Sequence, residues 1–304
     1  MINYSGLLNK LAEANITKTA LGKELGISSR TIAKIGRNEK INSHVIQKIA
    51  DYFHCSTDDI CHEMSNNILL QALREEKNHH IIGGIYHELQ IRMTYNSNHI
   101  EGSRLDESLT RMIFETRSFC SQEGIPIDDI TETVNHFKAI DYVIDIAEEE
   151  LTQDIIKELH KILKQGTYDS ELNWYAVGDY KRRPNVVGGR ETSKPKNVTR
   201  DMEKLLAEYN GLDQVKIQDI IDFHYHFERI HPFQDGNGRV GRLIALKECL
   251  KFGIVPFIIE DSKKWFYYRG LTEFDREPGY LTDTCLDGQD TFKRLLKMFE
   301  IDLD

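Results

Sequence analysis

A twelve-residue run in the last third of the chain combines an imidazole, a carboxylate, glycines and two guanidinium groups. The run is His231-Pro-Phe-Gln-Asp-Gly-Asn-Gly-Arg-Val-Gly-Arg242. Gly236 and Gly238 flank Asn237, and a helical pattern follows over about 239–252. Backbone N–H groups can therefore converge into one concavity at a helix N-terminus. Such a concavity binds phosphate.

The charged side chains of the run fit the same chemistry. Arg239 and Arg242 are three apart on one helix face, which places two guanidinium groups beside one anion. Asp235 supplies the carboxylate that a metal-bound polyphosphate requires. His231, at the end of the preceding helix, supplies a base that titrates near neutral pH. Each part alone is a weak signal, but their conjunction predicts phosphoryl-group chemistry.

The run matches, position for position, the signature H-P-F-x-[D/E]-G-N-G-R-x-x-R, and in it the chain resembles the Fic family. The resemblance implies a protein adenylyltransferase that moves AMP from ATP to a Ser, Thr or Tyr hydroxyl of a target protein. His231 would deprotonate that hydroxyl, Asp235 would hold Mg²⁺, and the loop amides of 236–238 would cradle the phosphates. Arg239 and Arg242 would bind the β- and γ-phosphates.

The resemblance also separates two reaction types. The related Doc kinases depart from G-N-G-R in this loop and transfer a terminal phosphate. Gly238 and Arg242 are intact here, which favours AMP transfer.

A second motif, Ser97-Asn-His-Ile-Glu101-Gly102, closes a helical pattern upstream. Ser97 and Glu101 share a helix face and Gly102 is a natural helix stop, so a helix end with a surface glutamate is one interpretation. The segment also resembles the inhibitory motif [S/T]-x-x-x-E-[G/N] of Fic proteins. That resemblance implies an inhibitory helix over about 85–102, in which Glu101 pairs with Arg242 and blocks the γ-phosphate.

A short hairpin is the one strand signal of the sequence. Residues 180–195 carry Asn185, Val186 and Val187 before the turn pair Gly188-Gly189. The hairpin resembles the Fic flap, which aligns the target by strand pairing. A plain surface hairpin is the alternative.

The N-terminal segment has the rhythm of a helix-turn-helix. Short helices are predicted over roughly 4–14, 18–25, 29–36 and 43–53, with a last turn near 57–61. Gly26 makes the turn between the second and third helices. Nearly all of 4–61 resembles the phage-repressor (Cro-like) domain.

That resemblance implies DNA binding in the major groove by Ser28, Ser29, Arg30 and Lys34. A single copy would bind weakly, so DNA binding implies a homodimer. A protein-docking module that has lost DNA binding is the alternative, because residues 1–62 carry only eight Lys/Arg against six Asp/Glu.

Composition agrees with a helical, soluble chain of two domains. The 304 residues are 40% hydrophobic and 29% charged, and only six are Pro, which favours long helices. No apolar signal core or membrane span is visible, so we expect a cytoplasmic protein. The net charge of −10 argues against a chain that coats nucleic acid over its whole surface. Five scattered cysteines indicate neither a disulfide framework nor a zinc site.

The sequence therefore predicts an all-α protein: a helix-turn-helix domain over 1–62, a linker or bridging helix over 63–78, and a Fic domain over 79–304 that is a helical bundle with a small hairpin flap. Apolar periodicity supports buried-face helices around Ile155–Leu163 and Ile217–Phe227. Trp174 and Trp265, with Tyr267-Tyr268, could stack on a base, but aromatic residues at helical spacing are expected in the core instead. Two other functions stay open: a transcriptional regulator that uses the Fic domain as a nucleotide sensor, and removal of AMP from a target.

Overall fold

The computed structural model describes residues 2–37, 39–57, 59–63, 67–120 and 124–303. It separates into two compact units, Met1–Asn67 and Ile68–Asp304. The described residues are mostly helical, which confirms the predicted all-α class. None of the helices described is long and apolar enough to cross a membrane.

Among its described residues, the first unit has four short helices and a two-stranded ribbon. The helices begin where the sequence offers caps: Thr17, Ser28 and Asn42 each accept a backbone N–H of the first turn. Gly26 has φ +63°, which allows the tight turn between the second and third helices. The elements are β1 Ile2–Asn3, α1 Ser5–Glu13, α2 Lys18–Glu24, α3 Ser29–Gly36, α4 Ser43–Tyr52 and β2 His62–Glu63.

The antiparallel ribbon of β1 and β2 was not predicted. Each strand has two residues, which is too short for an alternating pattern to show in the sequence. The predicted last turn near 57–61 is present, since the backbone amides of Ile60 and Cys61 both donate to the Thr57 carbonyl. Residue 58 lies outside the described part.

The second unit is a helical bundle with one small hairpin. Ten helices are described: α5 Ile68–His79, α6 Ile85–Ile100, α7 Glu107–Thr116, α8 Ile127–Asp145, α9 Gln153–Lys164, α10 Pro195–Asn210, α11 Ile217–Ile230, α12 Asn237–Phe252, α13 Lys264–Glu273 and α14 Gly279–Met298. The hairpin pairs β3 Val186–Val187 with β4 Arg190–Glu191, and is shorter than the predicted 180–195.

Helix α12 forms the centre of this bundle. It packs against α6, α8, α9 and α11, and 13 of its 16 residues are buried. The first two turns of α12 carry Arg239 and Arg242 of the twelve-residue run, and both side chains are buried. Each must therefore find a carboxylate, because a buried charge without a partner is strongly destabilising.

The segment 63–78, predicted as a linker or a bridging helix, is helical from residue 68 onwards. Ile68–His79 forms α5, whose Leu69, Leu70 and Leu73 are buried in the core of the second unit. The polar residues that suggested a linker occupy the opposite face of this amphipathic helix. Residues 64–66 lie outside the described part.

Leu73→Ala tests whether α5 is part of the folded second unit. Leu73 is fully buried, so we expect its truncation to lower the free energy of unfolding by about 3 kcal/mol. Ile68→Ala on the same helix is the matched control, because Ile68 is 53% exposed. Denaturant unfolding of residues 68–304 measures both variants, and equal stability would contradict this placement.

Candidate active site

The twelve-residue run folds into a tight loop between α11 and α12. His231 ends α11 in the left-handed conformation, with φ 51° and ψ 63°. Gly236, with φ 77°, precedes α12, which begins at Asn237, two residues earlier than expected. The Asn237 side chain closes the loop, since its Oδ1 accepts from the Phe233 amide at 2.8 Å and its Nδ2 donates to the Phe233 carbonyl at 3.0 Å. The loop amides of 236–238 therefore lie at the N-terminus of a buried helix.

Phe233 fixes this loop to the core. Its ring is fully buried and stacks on the His160 ring with centroids 4.0 Å apart. His160 Nδ1 in turn accepts from the Gly178 amide at 3.0 Å. Burial lowers the pKa of His160 to about 3, so this ring is a neutral packing element.

His231 is largely buried beside Glu228. Its Nδ1 lies 3.9 Å from Glu228 Oε2. Burial, reinforced by the Lys181 cation, lowers the pKa of His231 from 6.5 to about 4. Burial, reinforced by the Glu101 carboxylate, raises the pKa of Glu228 to about 8. At neutral pH the imidazole is therefore uncharged and can accept a proton.

Asp235 belongs to a closed arrangement of four charges, which we call the charge ring. Its Oδ2 accepts from Lys164 Nζ at 2.7 Å and from an Arg239 terminal nitrogen at 3.2 Å. Glu132 contacts both cations from the other side. Partial burial would raise the pKa of the Asp235 carboxyl, but Arg239 and Lys164 hold it well below its usual range. Asp235 is therefore ionised at neutral pH.

Arg242 is buried and bound by the motif that the sequence predicted as inhibitory. One terminal nitrogen lies 2.7 Å from Glu101 Oε1 and 2.9 Å from the Ser97 carbonyl oxygen. Arg242 Nε donates to Ser97 Oγ at 3.0 Å. The Tyr267 hydroxyl lies 3.4 Å from the other terminal nitrogen and 2.8 Å from His224 Nε2. The predicted pairing of Glu101 with Arg242 is thus present in the geometry.

The end of α6 places Glu101 against the loop that precedes α12. A Cβ added to Gly238 would lie 2.2 Å from Glu101 Oε1, so the glycine is needed for this approach. Gly102 ends the helix with φ +99°, a conformation that favours glycine. The Tyr268 hydroxyl donates to the Ile100 carbonyl at 2.9 Å and holds this end of α6 in place.

The hairpin is tied to the loop at its base. Lys181 Nζ donates to Asn185 Oδ1 at 2.8 Å and to Thr192 Oγ1 at 2.6 Å, while its amide donates to the Pro232 carbonyl at 2.8 Å. Asn185 Nδ2 also donates to the Phe233 carbonyl at 3.3 Å. Val186 and Val187 are exposed. The strand is consequently fixed relative to the loop and open to a partner.

These groups surround a cavity of about 570 Å³. Its walls bring together most of the predicted site, while Ser97, Arg239 and Arg242 lie behind them. The lining includes Glu101, Val187, Tyr225, Glu228, His231, Asp235, Gly236, Asn237, Gly238, Tyr267 and Tyr268.

Several residues of this site were missed or misplaced by sequence reasoning. Glu132, Lys164 and Lys181 lie on other segments and belong to no motif, so no local signal singled them out. Trp265 was expected in the core, but its side chain is 73% exposed on α13. Tyr267 is buried as expected, and Tyr268 lines the cavity.

The first unit carries the residues that the sequence predicted to contact DNA on helix α3. Ser28 caps α3, since its hydroxyl oxygen accepts from the Thr31 amide at 3.1 Å. Ser29 and Arg30 are exposed at the start of this helix, and Lys34 is half-buried one turn further on. α3 therefore carries the predicted groove-facing side chains on its accessible side.

Both units match known protein families. Residues 150–249 match the Fic/DOC family, and residues 7–62 match the Cro/C1-type HTH DNA-binding domain. The chain therefore carries a Fic/DOC domain and a Cro/C1-type helix-turn-helix domain, as the sequence predicted.

Curated relatives include the protein adenylyltransferase Fic of Nematostella vectensis, which is 30% identical over 196 residues, covering 61% of this chain and 43% of that protein. That of Aedes aegypti is 26% identical over 246 residues, covering 79% of this chain and 46% of that protein. The chain thus spans less than half the length of these relatives.

Solved structures share the fold. A Fic domain containing signaling protein from Bacteroides thetaiotaomicron superposes with a TM-score of 0.62 at 23% identity, covering 77% of this chain and 95% of that one. Fic-1 from C. elegans, residues 134–508, superposes with a TM-score of 0.59 at 19% identity, covering 97% of this chain and 84% of that one.

The His231 imidazole should titrate far below an exposed histidine. Histidine-labelled NMR, with His231→Gln to assign the signal, is expected to give a midpoint near pH 4. Lys181→Met should raise this pKa, because it removes a nearby cation. Since protonation then favours the unfolded chain, the stability contributed by His231 is lost as the pH falls from about 6.5 to about 4. A midpoint at 6.5 would show that the imidazole is solvated.

Proposed function

We propose that this chain, a Fic/DOC domain behind a Cro/C1-type helix-turn-helix domain, is a protein adenylyltransferase that transfers AMP from ATP to a target hydroxyl. One observation carries the proposal: an uncharged His231, the ionised Asp235 and the loop amides of 236–238 face one cavity. The curated relatives named protein adenylyltransferase Fic support the same reaction. ATP and a reduced chain both suit the cytoplasm, where we place the activity.

The chemical step follows from the arrangement of the loop. His231 takes the proton of a Ser, Thr or Tyr hydroxyl on the target protein. The hydroxyl oxygen then attacks the α-phosphorus, a new P–O bond to the target forms, and the bond to the β-phosphate breaks with release of pyrophosphate. The amides of Gly236, Asn237 and Gly238 stabilise the charge that develops on the phosphate oxygens.

The donor set fits a magnesium ion. Asp235 is ionised and its side chain is half exposed toward the cavity, while no cluster of three or more ligating side chains exists among the described residues. Mg²⁺ is commonly held by one or two carboxylates with phosphates and water completing the shell. When bound, the ion would neutralise charge on the phosphates.

Glu101 restrains this activity by occupying Arg242. A guanidinium at this depth can satisfy a carboxylate or a phosphate, and the 2.7 Å contact shows the carboxylate in place. The γ-phosphate must therefore displace Glu101 before the nucleotide sits productively. The same pairing leaves AMP removal as the alternative direction, which a pre-modified target would distinguish.

The hairpin positions the target. Val186 and Val187 offer an exposed strand whose base is tied to the catalytic loop through Asn185 and Lys181. An extended target segment that pairs with β3 would have its hydroxyl placed relative to His231.

We also propose that the helix-turn-helix domain binds DNA as part of a homodimer. The match to a DNA-binding domain and the accessible α3, with Ser28, Ser29, Arg30 and Lys34, favour this function. A transcriptional regulator that uses the Fic domain as a nucleotide sensor is the second candidate. Promoter footprints that are identical with and without His231→Ala would favour it.

Glu101→Gly is expected to raise ATP-dependent self-labelling at least about tenfold, which corresponds to about 1.4 kcal/mol. The substitution frees Arg242 for the γ-phosphate. Intact-protein mass spectrometry after incubation with mixed nucleotides identifies the adduct. Glu101→Gly combined with His231→Ala is the matched control and should not label. Equal labelling of the wild type and Glu101→Gly would refute restraint by Glu101.

Arg30→Ala is expected to weaken binding to DNA from its own promoter by about 1–3 kcal/mol if Arg30 reads a base. Fluorescence anisotropy at several salt concentrations measures the loss. Lys204→Ala, an exposed substitution in the second unit, is the control. Unchanged binding by Arg30→Ala and Lys34→Ala together would assign the domain to protein docking instead.

A further inference from the structure

The charge ring contains three residues that do not reach the cavity. The side chains of Lys164 and Arg239 are 3% and 5% exposed, and that of Glu132 is 15% exposed, whereas Asp235 is 50% exposed. Only Asp235 lines the cavity. The other three therefore act on the site through this carboxylate.

Every contact in the charge ring joins a positively charged side chain to a negatively charged one. Lys164 Nζ lies 2.5 Å from Glu132 Oε1 and 2.7 Å from Asp235 Oδ2. Arg239 donates to the second oxygen of Glu132 and, at 3.2 Å, to the same Asp235 oxygen. Two cations thus hold one oxygen of Asp235 inward, and the formal charges of the ring cancel.

The ring links a loop residue to rigid helices. Glu132 lies within α8 and Lys164 is the last residue of α9. Asn135 of α8 donates to the carbonyls of Leu163 and Gln165 at 3.1 and 2.7 Å, which fixes the two helices to each other at this point. An aspartate on a loop would otherwise sample several rotamers, and a metal ligand needs an orientation fixed by its neighbours.

We propose that Glu132, Lys164 and Arg239 are positioning residues that turn Asp235 so that its exposed side meets the magnesium ion of the nucleotide. This inference rests on the proposed function. It reassigns Arg239, which the family resemblance placed on the β- and γ-phosphates: one terminal nitrogen contacts Glu132 behind the cavity wall, and the other contacts the Asp235 oxygen that Lys164 also holds. Arg242 also lies behind the wall, but its partner Glu101 lines the cavity, so displacement of Glu101 would open this guanidinium to phosphate.

The metal-dependent part of ATP binding tests this role without any turnover. The parent protein carries Glu101→Gly and His231→Ala, so it binds nucleotide but transfers nothing. Calorimetry gives the dissociation constant of ATP with excess Mg²⁺ and with EDTA. In the parent, Mg²⁺ is expected to tighten ATP binding.

Two substitutions distinguish a role in positioning Asp235 from an effect of net charge alone. Lys164→Met removes a cation, and Glu132→Asp keeps the charge but shortens the side chain by one methylene. Positioning predicts that both weaken ATP binding with Mg²⁺ by about tenfold, with a smaller change in EDTA. Charge alone predicts that Lys164→Met weakens ATP binding at least as much in EDTA, where the nucleotide is more negative, as with Mg²⁺, and that Glu132→Asp leaves both affinities unchanged.

Two further lysine variants serve as controls for this experiment. Lys161→Met removes an exposed lysine of α9 that pairs with Glu158, and it should match the parent. Lys164→Arg should recover most of the affinity. If Lys164→Met does not fold by circular dichroism, Glu132→Asp decides the question. Parent-like affinity of a folded Glu132→Asp, or a loss by Lys164→Met that is as large in EDTA as with Mg²⁺, would overturn the proposal. A parent that ignores Mg²⁺ would instead refute the metal-dependent function itself.

Discussion

The site depends on one guanidinium that is buried and must be paired. Arg242 is 4% exposed on a helix that forms the centre of the bundle, so leaving its charge without an anion would be costly. Glu101 and Ser97 provide the partners of this guanidinium. Under the proposed function, a γ-phosphate would replace Glu101 as the anion. Restraint and catalysis would then be two alternative ways of compensating the same buried charge.

A second buried charge on α12 must be paired in the same way. Arg239, one turn earlier on α12, is also buried, and its compensation is built from Glu132 and Asp235. Because Lys164 balances the second carboxylate, this arrangement needs no ligand to be complete. The two arginines therefore differ in how their charge is compensated. Under the proposed function, a ligand can replace the partner of Arg242, whereas the partners of Arg239 are fixed within the fold.

The neutral imidazole follows from the same burial. His231 ends α11 beside Lys181 and Glu228, where water does not stabilise the imidazolium. A ring that stays uncharged at neutral pH is available as a proton acceptor. Lys181 contacts both Pro232, next to His231, and Asn185 at the base of the hairpin, so the proposed proton acceptor and the proposed target-aligning strand are held together.

The sequence was most informative where the residues of the site are contiguous. All twelve residues from His231 to Arg242 belong to one motif, and the resemblance of Ser97–Gly102 to the inhibitory motif of Fic proteins predicted the partner of Arg242, which the spacing alone did not. Glu132 and Lys164 could not be found this way, because their contacts arise only from the packing of α8 and α9 around the loop. The sequence left the segment of α5 open between a linker and a bridging helix, because only three residues of this helix are buried. A crystal structure of the Glu101→Gly protein with Mg²⁺ and ATP tests the central claim most directly. The account predicts the γ-phosphate on the Arg242 guanidinium and the α-phosphate beside His231, and a triphosphate bound elsewhere with Arg242 still closed by Ser97 would contradict it.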